Sequence, residues 1–261
     1  MCLLIALFQV TEGAPLVVGA NRDELHERPA VAMTVLQQSG PRILGGRDEL
    51  AGGTWLAVSE HGVVAGLTNQ PAPAGRDASK RSRGELPLAF ARFRTAAQAV
   101  AQLAHALDPA DYNPCWLLVG DRESLFSVGL AGGRRPDVRQ LGPGLHVLQN
   151  TPLGAPSAKT SRVTSLVTRE LAARPCAADA LAAVLRDHTP AQDQSVTRPD
   201  GRAMPPQASA ACVHAGEYGT RSSTIVTIPA AGLPEVRVAD GPPCEAVLAD
   251  VTSLWASVPA G

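Results

Sequence analysis

The order of apolar and polar positions along the chain predicts alternating groups of strands and helices. In the first 70 residues, short apolar runs are separated by glycine-containing turns, which is typical of antiparallel strands. Apolar residues at helical spacing follow in residues 85–107 and return in residues 161–186. Strand-like runs lie between these two parts and after the second one. The pattern therefore switches repeatedly between a period of about two and a period of about 3.6 residues.

The apolar residues nearest the N-terminus predict a β-hairpin. Residues 2–10 and 16–20 have strand character, and residues 11–15 (Thr-Glu-Gly-Ala-Pro) form a turn between them. A polar run, Asn-Arg-Asp-Glu at residues 21–24, follows the second strand directly. Because antiparallel pairing returns the end of the second strand to the start of the first, we expect this run to lie at a sheet edge near Cys2.

The other runs complete a layered α+β arrangement. We expect strands at residues 54–58, 63–67, 115–119, 124–128, 144–148, 222–228 and 235–238, and helices at residues 85–91, 95–107, 161–173, 177–186 and 247–255. Residues 189–211 are polar and rich in proline, which is typical of a long surface loop or lid. The order of these elements predicts two antiparallel sheets that pack face to face under outer helices.

Length, charge and hydropathy narrow the class of protein. A chain of 261 residues with 45% hydrophobic content can bury a substantial core, and we expect one domain over residues 1–261. A net charge of −1 with scattered Lys and Arg argues against nucleic-acid binding. No apolar run approaches the roughly 20 residues of a membrane-spanning helix, and the N-terminus lacks the pattern of a secretion signal. We therefore expect a cytoplasmic protein with no integral membrane segment.

The cysteines and histidines are widely separated along the chain. The cysteines are Cys2, Cys115, Cys176, Cys212 and Cys244, and the histidines are His26, His61, His105, His146, His188 and His214. No Cys-x-x-Cys pair and no pair of histidines at i,i+4 is present, so the spacing predicts reduced thiols and neither a disulfide framework nor a metal site. A single Cys2 or histidine would suffice to bind haem, but the chain has no Cys-x-x-Cys-His attachment motif. The sequence predicts no cofactor.

Cys2 is the strongest candidate for covalent chemistry. Removal of Met1 would leave a thiol and a free α-amine on the same residue, and these two groups can act as nucleophile and base. The alternative is that Cys2 is simply the buried start of a strand. The presence of other polar side chains around it would favour the nucleophile.

Six motifs spread over the chain resemble the N-R-D-E proteins, also called the transport and Golgi organisation protein two family. They are Cys2 after the initial methionine, Asn-Arg-Asp-Glu at 21–24, Gly-Gly-Thr-Trp-Leu at 52–56, Gly-Leu-Thr-Asn at 66–69, Leu-Gln-Asn-Thr at 148–151 and Tyr-Gly-Thr-Arg-Ser-Ser-Thr at 218–224. This family in turn resembles the N-terminal-nucleophile hydrolases of the penicillin and bile-salt acylase type. The second resemblance implies an αββα fold.

The acylase resemblance also implies roles for individual residues. Cys2 corresponds to the nucleophile, Asp23 to the carboxylate that orients the amine and thiol, Asn69 to the oxyanion-hole position, Asn150 to an asparagine beside a proline, and Arg221 to a late arginine near the nucleophile. We expect all of them to converge on Cys2. Our candidates for substrate contacts are Asn21, Arg22, Glu24 and Trp55. One departure is that Ala20 stands where the acylases carry an arginine, while Arg22 takes a variable position.

Two functions follow from this resemblance. One is an amidohydrolase that attacks a C–N bond of a small acylated metabolite through an acyl-thioester on Cys2. The other is a binding or carrier protein for acyl-CoA, lipid or haem that uses the same pocket without turnover. Likeness in fold does not choose between them. The sequence indicates no oligomeric state.

Overall fold

The computed structural model describes residues 2–70, 75–131, 133–192, 196–197 (backbone) and 203–256. The strands are β1 (Leu3–Phe8), β2 (Leu16–Leu25), β3 (Ala30–Gln37), β4 (Ile43–Asp48), β5 (Leu56–Ser59), β6 (Val64–Asn69), β7 (Cys115–Gly120), β8 (Leu125–Leu130), β9 (Asp137–Leu141), β10 (Gly144–Leu148), β11 (Val196–Thr197), β12 (Ala203–Met204), β13 (His214–Ala215), β14 (Tyr218–Ile228), β15 (Glu235–Asp240) and β16 (Ala249–Asp250). The helices are α1 (Glu85–Ala91), α2 (Ala96–Ala106), α3 (Ala158–Ala173) and α4 (Ala177–Leu185). Short 3-10 turns lie at Pro109–Asp111, Pro206–Ser209 and Thr252–Trp255.

Two antiparallel sheets of seven strands each form the centre of the protein. The first sheet has the order β10-β1-β2-β14-β15-β16, with β13 paired to β14. The second sheet runs from β3 to β9 in chain order with β3 at one edge. In the first sheet β2 therefore lies between the N-terminal strand β1 and the late strand β14, which brings the two ends of the chain into one sheet.

The alternation of side chains in β1 shows how the four layers form. Leu4, Ala6 and Phe8 belong to the core between the two sheets, and Leu3, Ile5 and Leu7 pack under α3 and α4. Helices α1 and α2 cover the outer face of the second sheet in the same way. Because both of its faces are buried, β1 is apolar at every position. The resulting αββα layering confirms the fold class predicted from the sequence.

Several predicted elements are confirmed, including the hairpin of β1 and β2, in which Leu3 pairs with Asn21. The prediction that the second strand ends at Ala20 was wrong, because β2 continues through residues 21–24 to Leu25 by pairing with β14. Strands β3, β4 and β9 were missed. The pair Gly45-Gly46 in β4 is typical of a turn, but here it lies within a strand. A side chain at Gly46 would collide with the ring of Trp55, so packing requires glycine at this position.

Two late segments also differ from the prediction. The expected helix at 247–255 is a short strand, β16, followed by a 3-10 turn at Thr252–Trp255. The expected loop at 189–211 contains β11, β12 and a 3-10 turn, and part of it lies outside the described residues. Among the residues that the structure describes, no helix is long and apolar enough to cross a membrane.

Candidate active site

Cys2 lines a cavity of about 220 Å³ whose walls come from both sheets and from residues 76–84. It directly precedes β1, and the pairing of Leu3 with Asn21 places it level with Arg22 of the neighbouring strand. Its side chain is partly buried. Burial raises the pKa of the Cys2 thiol, the charge of Asp23 raises it further, and the Asp23 backbone N–H and the charge of Arg22 oppose this rise.

Asp23 is a buried carboxylate held by two elements, strand β14 of the first sheet and helix α3 of the layer that covers it. Thr220 Oγ1 donates a hydrogen bond of 2.7 Å to Asp23 Oδ1, and Lys159 Nζ lies 3.7 Å from Asp23 Oδ2. The hydroxyl of Tyr218 donates to the Asp23 carbonyl oxygen at 2.8 Å. Burial raises the pKa of Asp23, and it outweighs the lowering effects of the Lys159 charge and of the Thr220 hydrogen bond. Burial beside the thiol thus makes the ionised form of Asp23 less favourable than it is in water.

Lys159 is a functional candidate that the sequence analysis missed. It lies in the first turn of α3 and is only 6% exposed, and no hydrogen bond to its Nζ is formed within the described part of the chain. Lys159 shares the inward face of the helix with Val163 and Leu166. A lysine on an apolar helix face near the positive end of the helix dipole was a readable signal, because it requires a buried anion as a partner.

A β-bulge in β14 sets the direction of the Thr220 side chain. The register between β14 and β2 shifts between Thr220 and Ser222, which leaves Arg221 as the extra residue. Val213 N–H donates to Thr220 Oγ1 at 2.8 Å, so that this oxygen can direct its own proton to Asp23. Arg221 instead donates to the carbonyl oxygen of His26 and does not line the cavity. The structure therefore brings Thr220 rather than Arg221 to the Asp23 carboxylate.

A second buried network forms the opposite wall of the cavity. Arg22 is 4% exposed, its guanidinium lies 4.5 Å from the centre of the Trp55 ring, and its Nη2 donates to Asp48 Oδ2 at 3.1 Å. Arg28 binds both oxygens of Asp48, at 2.7 and 3.2 Å. Burial alone would raise the pKa of Asp48, but the hydrogen bonds of Arg28 and of the Ala51 N–H and the charges of both arginines lower it. Arg22 and Trp55, both predicted from the sequence, line the cavity.

The two predicted asparagines connect the sheets at the end of the cavity. Asn150, which is buried, donates from its side-chain amide to the backbone carbonyl of Asn69. The residues that precede these two asparagines also interact, because Thr68 Oγ1 donates to the carbonyl oxygen of Gln149 at 2.7 Å. Asn69 lines the cavity together with Cys2, whereas Asn150 does not line it. The structure thus places Asn69 where it can contact a ligand and Asn150 where it holds the Asn69 backbone.

Asn21 and Glu24 lie on opposite sides of β2. The Asn21 amide donates to the carbonyl oxygens of Leu185 and Ala211 at 3.0 and 2.8 Å, on the helical side of the sheet, and it does not reach the cavity. Glu24 lines the cavity and forms an ion pair with Arg28 at 3.8 Å. Alternation along a strand explains the difference, because neighbouring residues point to opposite faces.

The cavity is rich in positive charge, much of it from residues 75–84. Its lining contains five arginines, Arg22, Arg28, Arg76, Arg81 and Arg83, against three acids, Asp23, Glu24 and Asp48. Arg81 is paired with Glu85 and Asp111. Arg83 donates to the carbonyl of Pro114 at 3.2 Å, and burial lowers its pKa. Arg76, Arg81 and Arg83 are also close together along the chain, but no sequence pattern indicates that this segment faces Cys2, so they were not predicted as site residues.

Solved structures share this architecture. An N-acylethanolamine-hydrolyzing acid amidase orthologue from Caenorhabditis elegans is similar with a TM-score of 0.53 and 11% identity, covering 86% of this chain and 92% of that chain. A mutant conjugated bile acid hydrolase from Clostridium perfringens is similar with a TM-score of 0.51 and 12% identity, covering 97% of this chain and 93% of that chain. At such identities the likeness concerns the fold. The chain has the fold of the N-terminal-nucleophile hydrolases.

Sequence comparison assigns the family within this fold. The family model described as Transport and Golgi organisation 2 matches residues 1–239, and the chain belongs to this family. The Transport and Golgi organization protein 2 homolog of Bos taurus is 31% identical over 255 residues, covering 89% of this chain and 90% of that protein. The homolog of Homo sapiens is 31% identical over 252 residues with the same coverage. The resemblance inferred from the six motifs is thereby confirmed.

Proposed function

We propose that this protein is an N-terminal-nucleophile amidohydrolase that acts on a small acylated metabolite bearing a negative charge. The observation that supports the proposal is the position of Cys2, which opens onto a cavity whose walls carry Asp23 on one side and five arginines overall. A thiol, a buried carboxylate and fixed cationic groups around one cavity are the components that acyl transfer requires.

The proposed reaction begins after removal of Met1, when the α-amine of Cys2 is free. The neutral amine takes the thiol proton, and Cys2 Sγ attacks the carbonyl carbon of the substrate. The tetrahedral oxyanion is stabilised by donors on the cavity wall, for which the Asn69 amide is our candidate. The C–N bond then breaks, and the leaving amine takes the proton from the α-ammonium group. Water, deprotonated by the same amine, hydrolyses the thioester and releases the acid.

Asp23 has the role of orienting and stabilising the protonated α-amine. Its carboxylate is held by Thr220 and Lys159, neither of which lines the cavity, so its position does not depend on the substrate. Because burial raises the pKa of Asp23, a nearby positive charge stabilises its ionised form. The α-ammonium that forms when the thiol is deprotonated supplies this charge.

The charge of the substrate is inferred from Arg76 and Arg83. Arg22 and Arg28 are neutralised by Asp48 and Glu24, and Arg81 by Glu85 and Asp111. Among the described residues, no ion pair neutralises Arg76 or Arg83, and both line the cavity. Arginine binds carboxylate and phosphate through paired hydrogen bonds. We therefore infer that one of these anionic groups forms part of the ligand.

A second candidate function is binding or transport of an anionic acyl compound without turnover, such as an acyl-CoA or another charged lipid. It is favoured by one specific observation, the raised pKa of the Cys2 thiol, which results chiefly from burial. A protonated thiol is a poor nucleophile. In this function Cys2 would be a wall of the pocket.

The test uses protein whose intact mass shows that Met1 has been removed. Acyl-amides and acyl-thioesters would be offered in matched pairs, one with a carboxylate or phosphate and one neutral, and product release and binding heat would be measured. We expect hydrolysis of the anionic members, no hydrolysis by Cys2→Ala, and normal hydrolysis by the control Cys176→Ser, whose thiol is exposed. Binding of the anionic compounds without hydrolysis by the processed wild type would contradict the hydrolase and support the carrier.

A further inference from the structure

Two cysteines and two histidines meet on the helical side of the first sheet, away from the Cys2 cavity. Cys212 Sγ lies 3.6 Å from Cys244 Sγ and 3.6 Å from His214 Nε2, and His214 Nε2 lies 3.1 Å from Cys244 Sγ. Ligand atoms of His188, His214 and Cys244 all lie within 4.8 Å of one another. We propose that Cys212, Cys244, His188 and His214 form a structural zinc site.

The distances among Cys212, Cys244 and His214 agree with tetrahedral coordination of zinc, and His188, whose ligand atom lies within 4.8 Å of those of His214 and Cys244, would move closer to complete the set. Zn–S bonds of about 2.3 Å and Zn–N bonds of about 2.0–2.1 Å at tetrahedral angles separate two sulfurs by about 3.8 Å and a sulfur from a nitrogen by about 3.5 Å. The three distances among Cys212, Cys244 and His214, between 3.1 and 3.6 Å, lie within a few tenths of an ångström of these values. Two thiolates with two imidazoles are a ligand set that zinc uses in structural sites.

Three separate parts of the chain supply these ligands. His188 follows α4, Cys212 and His214 precede β14, and Cys244 lies in the turn after β15. The backbone N–H of Cys212 donates to the carbonyl of Asp187 at 2.8 Å, which holds the first two parts together without a metal. The Cys212 side chain is buried whereas the two histidines are exposed, so a metal ion can enter from solvent.

The site is connected to the candidate active site through Val213. This residue lies between the ligands Cys212 and His214, and its N–H donates to Thr220 Oγ1, which in turn donates to Asp23 Oδ1. Zinc would therefore fix the segment that sets the position of the Asp23 carboxylate. With four protein ligands the ion has no open position for substrate, so its role is structural rather than catalytic.

The ligands are far apart along the chain, which explains why the sequence did not predict this site. The sequence argument against a metal site rested on the absence of closely spaced cysteines or histidines, and here only Cys212 and His214 are near neighbours. His188 lies 24 positions before Cys212, and Cys244 lies 30 positions after His214. The fold brings these residues together. The proposal does not depend on the hydrolase or carrier function.

The experiment titrates the metal-free full chain with Co²⁺ under reducing conditions and then displaces it with Zn²⁺. We expect one metal per chain by elemental analysis and a cobalt spectrum with thiolate charge-transfer bands and intense tetrahedral bands, both lost on addition of zinc. Zinc should also raise the melting temperature, and a chelator should lower it to the metal-free value.

Matched variants assign the ligands. Cys212→Ser, Cys244→Ser, His188→Gln and His214→Gln should each weaken metal binding more than the about 10–100-fold loss typical of changes outside the ligand shell. Cys176→Ser and His105→Gln, exposed residues elsewhere, should bind like wild type. Wild-type protein that binds no cobalt, or that binds it with a spectrum free of thiolate bands, would overturn the proposal. So would purified wild type in which Cys212 and Cys244 form a disulfide that a reductant does not open.

Discussion

Asp23 and Asp48 are carboxylates on two walls of one cavity, and their surroundings affect them in opposite ways. Asp48 accepts hydrogen bonds from both arginines and from two backbone N–H groups, and these donors lower its pKa despite burial. At Asp23 burial outweighs the Lys159 charge and the Thr220 hydrogen bond, and the pKa is raised. A lowered pKa is typical of a carboxylate in a structural ion pair, and a raised pKa is common among buried carboxylates of functional sites. The two walls thus differ in the electrostatic environment that they give to a carboxylate.

The largest effect is expected at the wall that carries Asp23. Asp23→Asn keeps the size of the side chain but removes the charge that stabilises the protonated α-amine, so kcat should fall by about 10³-fold or more if the protein is a hydrolase. Ligand affinity, measured calorimetrically, should stay within about threefold of wild type, because the ligand is bound by arginines. An unchanged kcat in Asp23→Asn would mean that Asp23, like Asp48, has no role in the reaction.

The next effect concerns the partner of Asp23. Lys159→Met leaves a buried carboxylate without its ammonium and should lower the free energy of unfolding by about 3 kcal/mol, measured in urea at pH 7. The double variant Asp23→Asn/Lys159→Met should be more stable than Lys159→Met alone, because the buried carboxylate that has lost its ammonium is also removed. As a control, Arg169→Met breaks an ion pair whose arginine is 68% exposed, and its effect should stay below about 1 kcal/mol. If the effects of Asp23→Asn and Lys159→Met on the free energy of unfolding simply add in the double variant, Asp23 and Lys159 are not an energetically coupled pair.

The smallest effect is expected at Asp48 and depends on pH. Because the folded-state pKa of Asp48 lies below the ordinary value of 3.8, its contribution to stability is fully present above that value and is lost as the pH falls through the folded-state pKa. Asp48→Asn should therefore destabilise the protein by about 1–2 kcal/mol at pH 7, and the difference should shrink below about pH 4. Urea unfolding at several pH values measures this.

The control for Asp48 is Asp137→Asn, which removes a carboxylate that is 49% exposed and paired with Arg139. It should change the free energy of unfolding by less than about 0.5 kcal/mol at every pH. A difference between wild type and Asp48→Asn that grows towards acidic pH would show that the arginines do not compensate Asp48 as described.

The sequence predicted the layers and much of the cavity, and its failures have physical causes. Cys2, Arg22 and Asp23 were placed together because a hairpin is a local structure whose register follows from its turn. Arg221 was expected at the cavity, but a one-residue bulge in β14 brings Thr220 to Asp23 instead. No local sequence pattern predicts such a bulge. Lys159 was missed because its partner lies 136 positions earlier in the chain, and only the folded sheet brings them to 3.7 Å.

The pairing of β2 with β14 has a consequence for the synthesis of this protein. The β1–β2 hairpin leaves the ribosome early, but the strand that completes its other side, Tyr218–Ile228, follows about 200 residues later. At typical elongation rates the apolar edge of β2 stays unpaired for roughly 10–40 seconds. During that time it resembles an edge strand open to pairing with other chains. Nascent-chain solubility should therefore depend on chaperones until β14 emerges, and the site around Asp23 forms only at the end of translation.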